Sequence, residues 1–193
     1  MMQDFFMYLQ LGWAHIISLD ALDHQLFVLA LVAAYSYKDW KQLLILVTAF
    51  TIGHSITLAL STLDVVRISS SWVEFLIPVT IVLTSLDNIL MRNHENRLMK
   101  LNYYLALFFG LIHGMGFANT ARMMLAKEQS IFLPLLGFNI GLEIGQIAVV
   151  LIILMILFVL LNIFRVQRKD WVMFVSSGVF ALSLQMALQR IPF

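Results

Sequence analysis

The chain has 193 residues, 61% of them hydrophobic and 12% charged, with a mean hydropathy of +0.91. That balance exceeds what a soluble domain of this length carries and marks an integral membrane protein. Twelve Lys and Arg against eleven Asp and Glu give no signal for nucleic acid or an acidic substrate, and the absence of cysteine excludes disulfides, thiolate ligands and Cys-attached haem. Imidazole, carboxylate and thioether remain as metal ligands.

The first dozen residues hold no Lys or Arg and run into Trp13 and His15 without a small-residue cleavage site, so they do not read as a removable signal peptide. Phe5, Phe6, Tyr8, Leu9 and Trp13 read instead as an N-terminal interfacial segment. A helix needs about 20 apolar residues to cross a hydrocarbon core about 30 Å thick. Six stretches qualify: 16–37, 43–62, 72–91, 101–120, 132–161 and 171–190. The breaks between them are short and polar, so the chain reads as one all-α polytopic domain over 1–193. Trp13, Trp40, Trp72 and Trp171 all fall at span ends, as do Tyr35, Tyr37, Tyr103 and Tyr104, which is the expected interfacial belt.

Eight Lys and Arg lie in the first, third and fifth loops (Lys38, Lys41, Arg92, Arg97, Lys100, Arg165, Arg168, Lys169), against Arg67, Arg122, Lys127 and Arg190 on the other side. Positive-inside then puts both termini outside and the three richer loops in the cytoplasm. At about 1.5 Å per residue, His54 lies roughly 16 Å from the cytoplasmic end of the second span and His113 roughly 18 Å from that of the fourth. Glu143 lies roughly 16 Å in from the outer end of the fifth span, and His24 about 12 Å below the outer start of the first. Ionisable groups at similar depth in four spans point to a shared central site, since each is costly in lipid without a function or a partner.

Asp20, Asp23 and His24 stand at i, i+3 and i+4, on one face of a helix that could hold a divalent cation. In the fifth span Asn139, Glu143 and Gln146 share one face, while Gly137, Gly141 and Gly145 line another that permits close packing within the chain, on a second copy or on a partner membrane protein. Thr51, Ser55 and Asn119 are supporting polar groups, and either His54 or His113 alone could instead bond a carbonyl across helices. His94 reads as a solvated loop residue, Glu74 and Asp87 as end caps, surface charges or site members, and Met115, Met123 and Met124 as gap-fillers that could assist a soft ion. Three histidines with two or three carboxylates suit nickel, cobalt, zinc or iron.

The ordered set G-W-x-H (12–15), D-H-x-L-F (23–27), T-A-F-T-I-G-H-S (48–55), H-G-M-G-F (113–117) and N-I-G-L-E-I-G-Q (139–146) covers nearly the whole chain and resembles the HupE/UreJ family of bacterial membrane proteins. The resemblance implies a multi-span inner-membrane protein tied to nickel supply for hydrogenase and urease. His15, Asp23, His24, His54, His113 and Glu143 are then its metal-handling groups. L-D-A-L-D-H (19–24) and G-H-S also resemble signatures of the larger nickel/cobalt permeases. Here two residues separate Asp20 from Asp23 and His15 stands farther back, so that family's ligand geometry does not transfer directly.

Phe50-Thr-Ile-Gly53 parallels Phe138-Asn-Ile-Gly141 at an offset of 88, which places His24 one residue from His113 and suggests two inverted three-span repeats. The expected function is a six-span permease carrying a divalent transition metal, nickel or cobalt first, with Asp20 and Asp23 attracting the ion and His15 and His24 receiving it. No Walker A loop is present, so transport would draw on the metal gradient, the membrane potential or a partner. Two other readings stand beside it: an intramembrane zinc hydrolase built on the same groups, without an HExxH motif, and an accessory or scaffold subunit packed through its glycine face.

Overall fold

The computed structural model describes residues 2–18, 21–90, 99–125 and 131–192, and among them every regular element is helical. In chain order these are α1 (Met2–Ile17), α2 (Leu22–Ala33), α3 (Trp40–Thr62), α4 (Ser70–Leu90), α5 (Met99–Gly116), α6 (Ala118–Leu125), α7 (Phe132–Asn162) and α8 (Arg168–Gln189). Helices α3, α4, α7 and α8 are each long and apolar enough to cross a membrane, within a few residues of the expected spans. The pairs α1–α2 and α5–α6 are bent by 68° and 51°, and counting each pair as one broken span gives up to six crossings.

The first and fourth spans thus depart from the continuous helices expected at 16–37 and 101–120. Helix α2 has only 12 residues, about 18 Å of rise, and cannot cross alone. Its crossing is completed by α1, so the segment expected at the interface is a full helix laid along α7. Breaking a helix inside a membrane frees carbonyls that water cannot solvate. Gln25 Nε2 lies 3.0, 3.1 and 3.0 Å from the carbonyls of Ile16, Ile17 and Ser18, which answers that demand at the end of α1.

Glycine decides how the helices pair. A Cβ at Gly12 would overlap Phe138 O, and one at Gly141 would overlap Leu9 O, so α1 and α7 touch backbone to backbone. The glycine face of α7 is therefore taken up by α1 of the same chain, where the sequence had left a partner open. Helices α3 and α5 do the same: a Cβ at Gly110 would overlap Phe50 O, and one at Gly53 would overlap Leu107 O.

These contacts are reciprocal because the halves repeat one another. Leu9, Gly12 and His15 recur 98 residues on as Leu107, Gly110 and His113; the F-x-I-G of 50–53 recurs at 138–141; W-V-x-F of 72–75 recurs at 171–174. Helix α1 packs on α7 as α5 packs on α3, and α4 packs on α8. Both α3 and α7 end at a left-handed residue, Asp64 (φ 63°) and Arg165 (φ 55°), with Val66 N bonded to Leu60 O and Val166 N bonded to Leu160 O. The repeat partner of His113 is thus His15, not His24 as the single offset of 88 suggested, because the linkers differ in length. With each bent pair counted as one span, each half crosses three times, and an odd number of crossings inverts the second half relative to the first.

Gly110→Ala should cost about 1–3 kcal/mol by forcing α5 off α3. Thermal unfolding of the detergent-purified protein is expected to show a lowered midpoint for this variant and none for Gly178→Ala, whose Cβ would meet nothing within 4 Å. Equal midpoints would show that the backbone contact is not required.

Candidate metal centre

Four helices each deliver one histidine to the middle of the bundle: His15 near the end of α1, His24 in the first turn of α2, His54 in α3 and His113 near the end of α5. The ring of His24 is central, with its centroid 4.8 Å from His15, 5.1 Å from His113 and 5.9 Å from His54. His15, His24 and His54 each offer a ring nitrogen within 4.8 Å of the others. His24, His54 and His113 are 4%, 0% and 1% exposed.

Hydrogen bonds fix which nitrogens are free. His113 Nδ1 lies 2.8 Å from Phe109 O, and a carbonyl only accepts, so Nδ1 carries the proton and Nε2 presents a lone pair. His24 Nδ1 lies 3.0 Å from Asp23 Oδ1, which also accepts the His24 backbone N–H at 2.8 Å. With the ring neutral, this orients Nε2 of His24 the same way, in the carboxylate–histidine–metal pattern. Asp23 Oδ2 is 3.9 Å from Arg190 Nη1, so its charge is shared between His24 and the end of α8. The Nε2 atoms of all four histidines, and Nδ1 of His54, are buried without a hydrogen-bond partner.

Such a set is costly without an occupant. One orphaned buried polar atom costs about 1–3 kcal/mol, and several in one cluster demand an explanation. Convergent imidazole lone pairs in an apolar enclosure suit a divalent late first-row ion and do not suit calcium or magnesium, which take oxygen. Asn139 Oδ1 is a further buried acceptor, on α7 and directed at His54.

The other expected groups are placed elsewhere. Glu143 accepts a 2.6 Å hydrogen bond from Thr48 Oγ1 at the exposed seam of α3 and α7, outside the histidine group. Thr51 donates to Gln146 Oε1 at 3.0 Å and Asn119 to Ser70 Oγ at 2.8 Å, each joining two helices, while Ser55 donates to Thr51 O within α3 at 2.7 Å. Met123 and Met124 lie on the exposed face of α6, and Glu74 is exposed on α4. Asp20 and His94 lie outside the described residues.

Sequence reasoning missed Gln25, Arg190 and the phenylalanines that wall the cluster. Gln25, a polar residue inside an apolar run, was the one with a visible signal. The wall consists of Phe27, Phe50, Phe117 and Phe138, each with its ring centroid 4.6–6.4 Å from that of a cluster histidine.

A family model described as HupE / UreJ protein matches residues 1–190. No curated protein and no solved structure matches the chain. With the match running over nearly its full length and several helices able to span a bilayer, the chain is a multi-pass membrane protein that belongs to the HupE/UreJ family.

Proposed function

We propose that the protein is a permease that carries a divalent transition-metal ion, nickel or cobalt, across the bacterial cytoplasmic membrane through the histidine cluster. The observation that carries this reading is the convergence of four imidazoles with unpartnered Nε2 atoms at the junction of two inverted halves. A family associated with nickel and cobalt transport supports the choice of ion, because imidazole alone would also accept copper or zinc.

In this reading the ion is substrate. It sheds most of its water on entering the cluster, and imidazole nitrogens replace those oxygens. Asp23 keeps His24 in the tautomer that ligates and supplies negative charge that offsets the cation. Asp23 is a positioning residue, acting through His24. His15 and His113, equivalent in the two halves, flank His24 at nearly equal distance, so a ligand handed from one to the other stays bound throughout. The loops richer in Lys and Arg face the cytoplasm, and both termini lie outside. No observation favours the hydrolase: Asp23, the carboxylate beside the cluster among the described residues, is engaged by His24 and Arg190, and phenyl rings stand where a water nucleophile and substrate would enter.

Metal content of the purified protein, equilibrated with submicromolar nickel, cobalt, zinc, copper and iron, tests the reading. Wild type should hold stoichiometric, exchangeable nickel or cobalt, and His24→Ala or His54→Ala should lose most of it. No binding by folded wild type, or binding that survives both substitutions, would sink the metal site.

Asp23→Asn removes the charge while keeping the shape. Loss of such an outer partner typically weakens metal affinity by 10–100-fold, roughly the drop expected here by titration with nickel. An unchanged affinity would mean that Asp23 serves only the fold.

A further inference from the structure

The histidine cluster is closed on two sides by the same device. On one side Phe27 and Phe50 stack with centroids 4.8 Å apart at 27°, and both rings pack on His113, at 5.6 and 5.0 Å. On the other Phe117 and Phe138 stack at 4.8 Å and 9°, and both rings pack on His15, at 4.6 and 5.7 Å. Phe50 and Phe138 are the same position of the repeated F-x-I-G, and His113 and His15 the same position of the repeated L-x-x-G-x-x-H. The two closures thus share a repeated Phe–His pair, completed by Phe27 on one side and by Phe117 on the other.

What lies beyond them differs. Past Phe117 and Phe138 there is an apolar space of about 10 Å³, with room for one water molecule at most. Past Phe27 and Phe109 there is a cavity of about 310 Å³ whose lining includes Asp87, Thr84 and Asn102. That cavity lies between the last turns of α4 and the first turns of α5.

We propose that the two phenylalanine pairs are the doors of the histidine chamber, and that an ion leaving on the side where α4 ends passes Phe27 into the cavity at Asp87, where oxygen ligands and water begin to replace imidazole. This rests on the permease reading and adds to it the path and the moving parts. Stacked rings fit the task. They exclude water while shut, and a stack is weak enough to open on a rotamer change of one ring. Both doors are shut here, so the structure is the occluded state. Opening one while the other stays stacked gives alternating access, and the inverted repeat supplies the same hinge to both faces.

The test uses membrane vesicles of both orientations, loaded to equilibrium with radiolabelled Ni²⁺ and then given an impermeant chelator outside. Phe27→Ala should speed nickel loss about tenfold, the effect a lost aromatic stack supports, only where the Asp87 end of α4 faces the chelator. Phe117→Ala should do so only in the opposite orientation, and the double variant should leak in both. Phe27→Leu and Phe117→Leu keep the bulk of the ring. They should show the same sidedness at smaller amplitude, and they decide the matter if an alanine variant does not fold. Acceleration without sidedness, or none in any variant, overturns the doors. Wild-type vesicles that retain no nickel at equilibrium overturn the permease reading itself.

Discussion

The backbone contact between glycine and carbonyl is the constraint on which the rest of the structure depends. Gly12 against Phe138 O and Gly110 against Phe50 O draw α1 onto α7 and α5 onto α3 with no side chain between them. In lipid no hydrophobic force drives helices together, so close approach at small residues is what makes association favourable. The contact does more than associate helices. His15 lies one turn beyond Gly12, and His113 one turn beyond Gly110, so the register that seats each glycine also delivers each imidazole to the centre. The carbonyl that each glycine meets belongs to a phenylalanine of a stacked pair. Packing, ligands and closure are set by one contact made twice.

The second constraint is that the two helices carrying these contacts do not run on. A straight span would project its side chains along the whole thickness of the bilayer. Ending α1 and α5 near the middle instead lets α2 start there, with His24 in its first turn and turned into the cluster. Broken helices at membrane depth are tolerated where the freed groups are satisfied by protein, and Gln25 meets three carbonyls at the end of α1. A central site and an interrupted helix are therefore one feature seen from two sides.

Much of this was legible in the sequence, for reasons that also explain what was not. Apolar length and the Trp and Tyr positions located α3, α4, α7 and α8 within a few residues, because a bilayer imposes the same length on every crossing. His15, His24, His54 and His113 stood out because imidazole is rare and expensive in lipid. The break between α1 and α2 was not legible: hydropathy averages over a window and cannot see a bend whose freed carbonyls are met by a side-chain amide eight or nine residues on. Nor could depth along a straight helix separate Glu143 from the cluster. Glu143 belongs to a mid-span region as expected, but it faces Thr48 across the α3–α7 seam, and facing is a matter of rotation about the helix axis. The phenylalanines were invisible for the opposite reason. Among 15 of them, nothing in residue type marks the four that touch an imidazole.

The repeat is not perfect, and its imperfection bears on direction. His54 corresponds to Leu142, both fully buried and both one residue after the glycine of F-x-I-G. A symmetric scaffold thus carries an asymmetric ligand set: His15 and His113 are paired by the repeat, His24 stands between them, and His54 has an apolar counterpart. His54 groups with His15 and His24 and not with His113, so the three-nitrogen end of the cluster is the one beside Phe117 and Phe138. Coordination by more imidazoles holds an ion longer, and by fewer releases it sooner. Beyond the His113 end lies the larger cavity with its oxygen groups, whose hold on a late transition metal is weaker than that of imidazole. On the permease reading, affinity would fall along one direction through a fold whose two halves are otherwise alike, and that gradient would let a symmetric pair of doors serve capture on one side and release on the other.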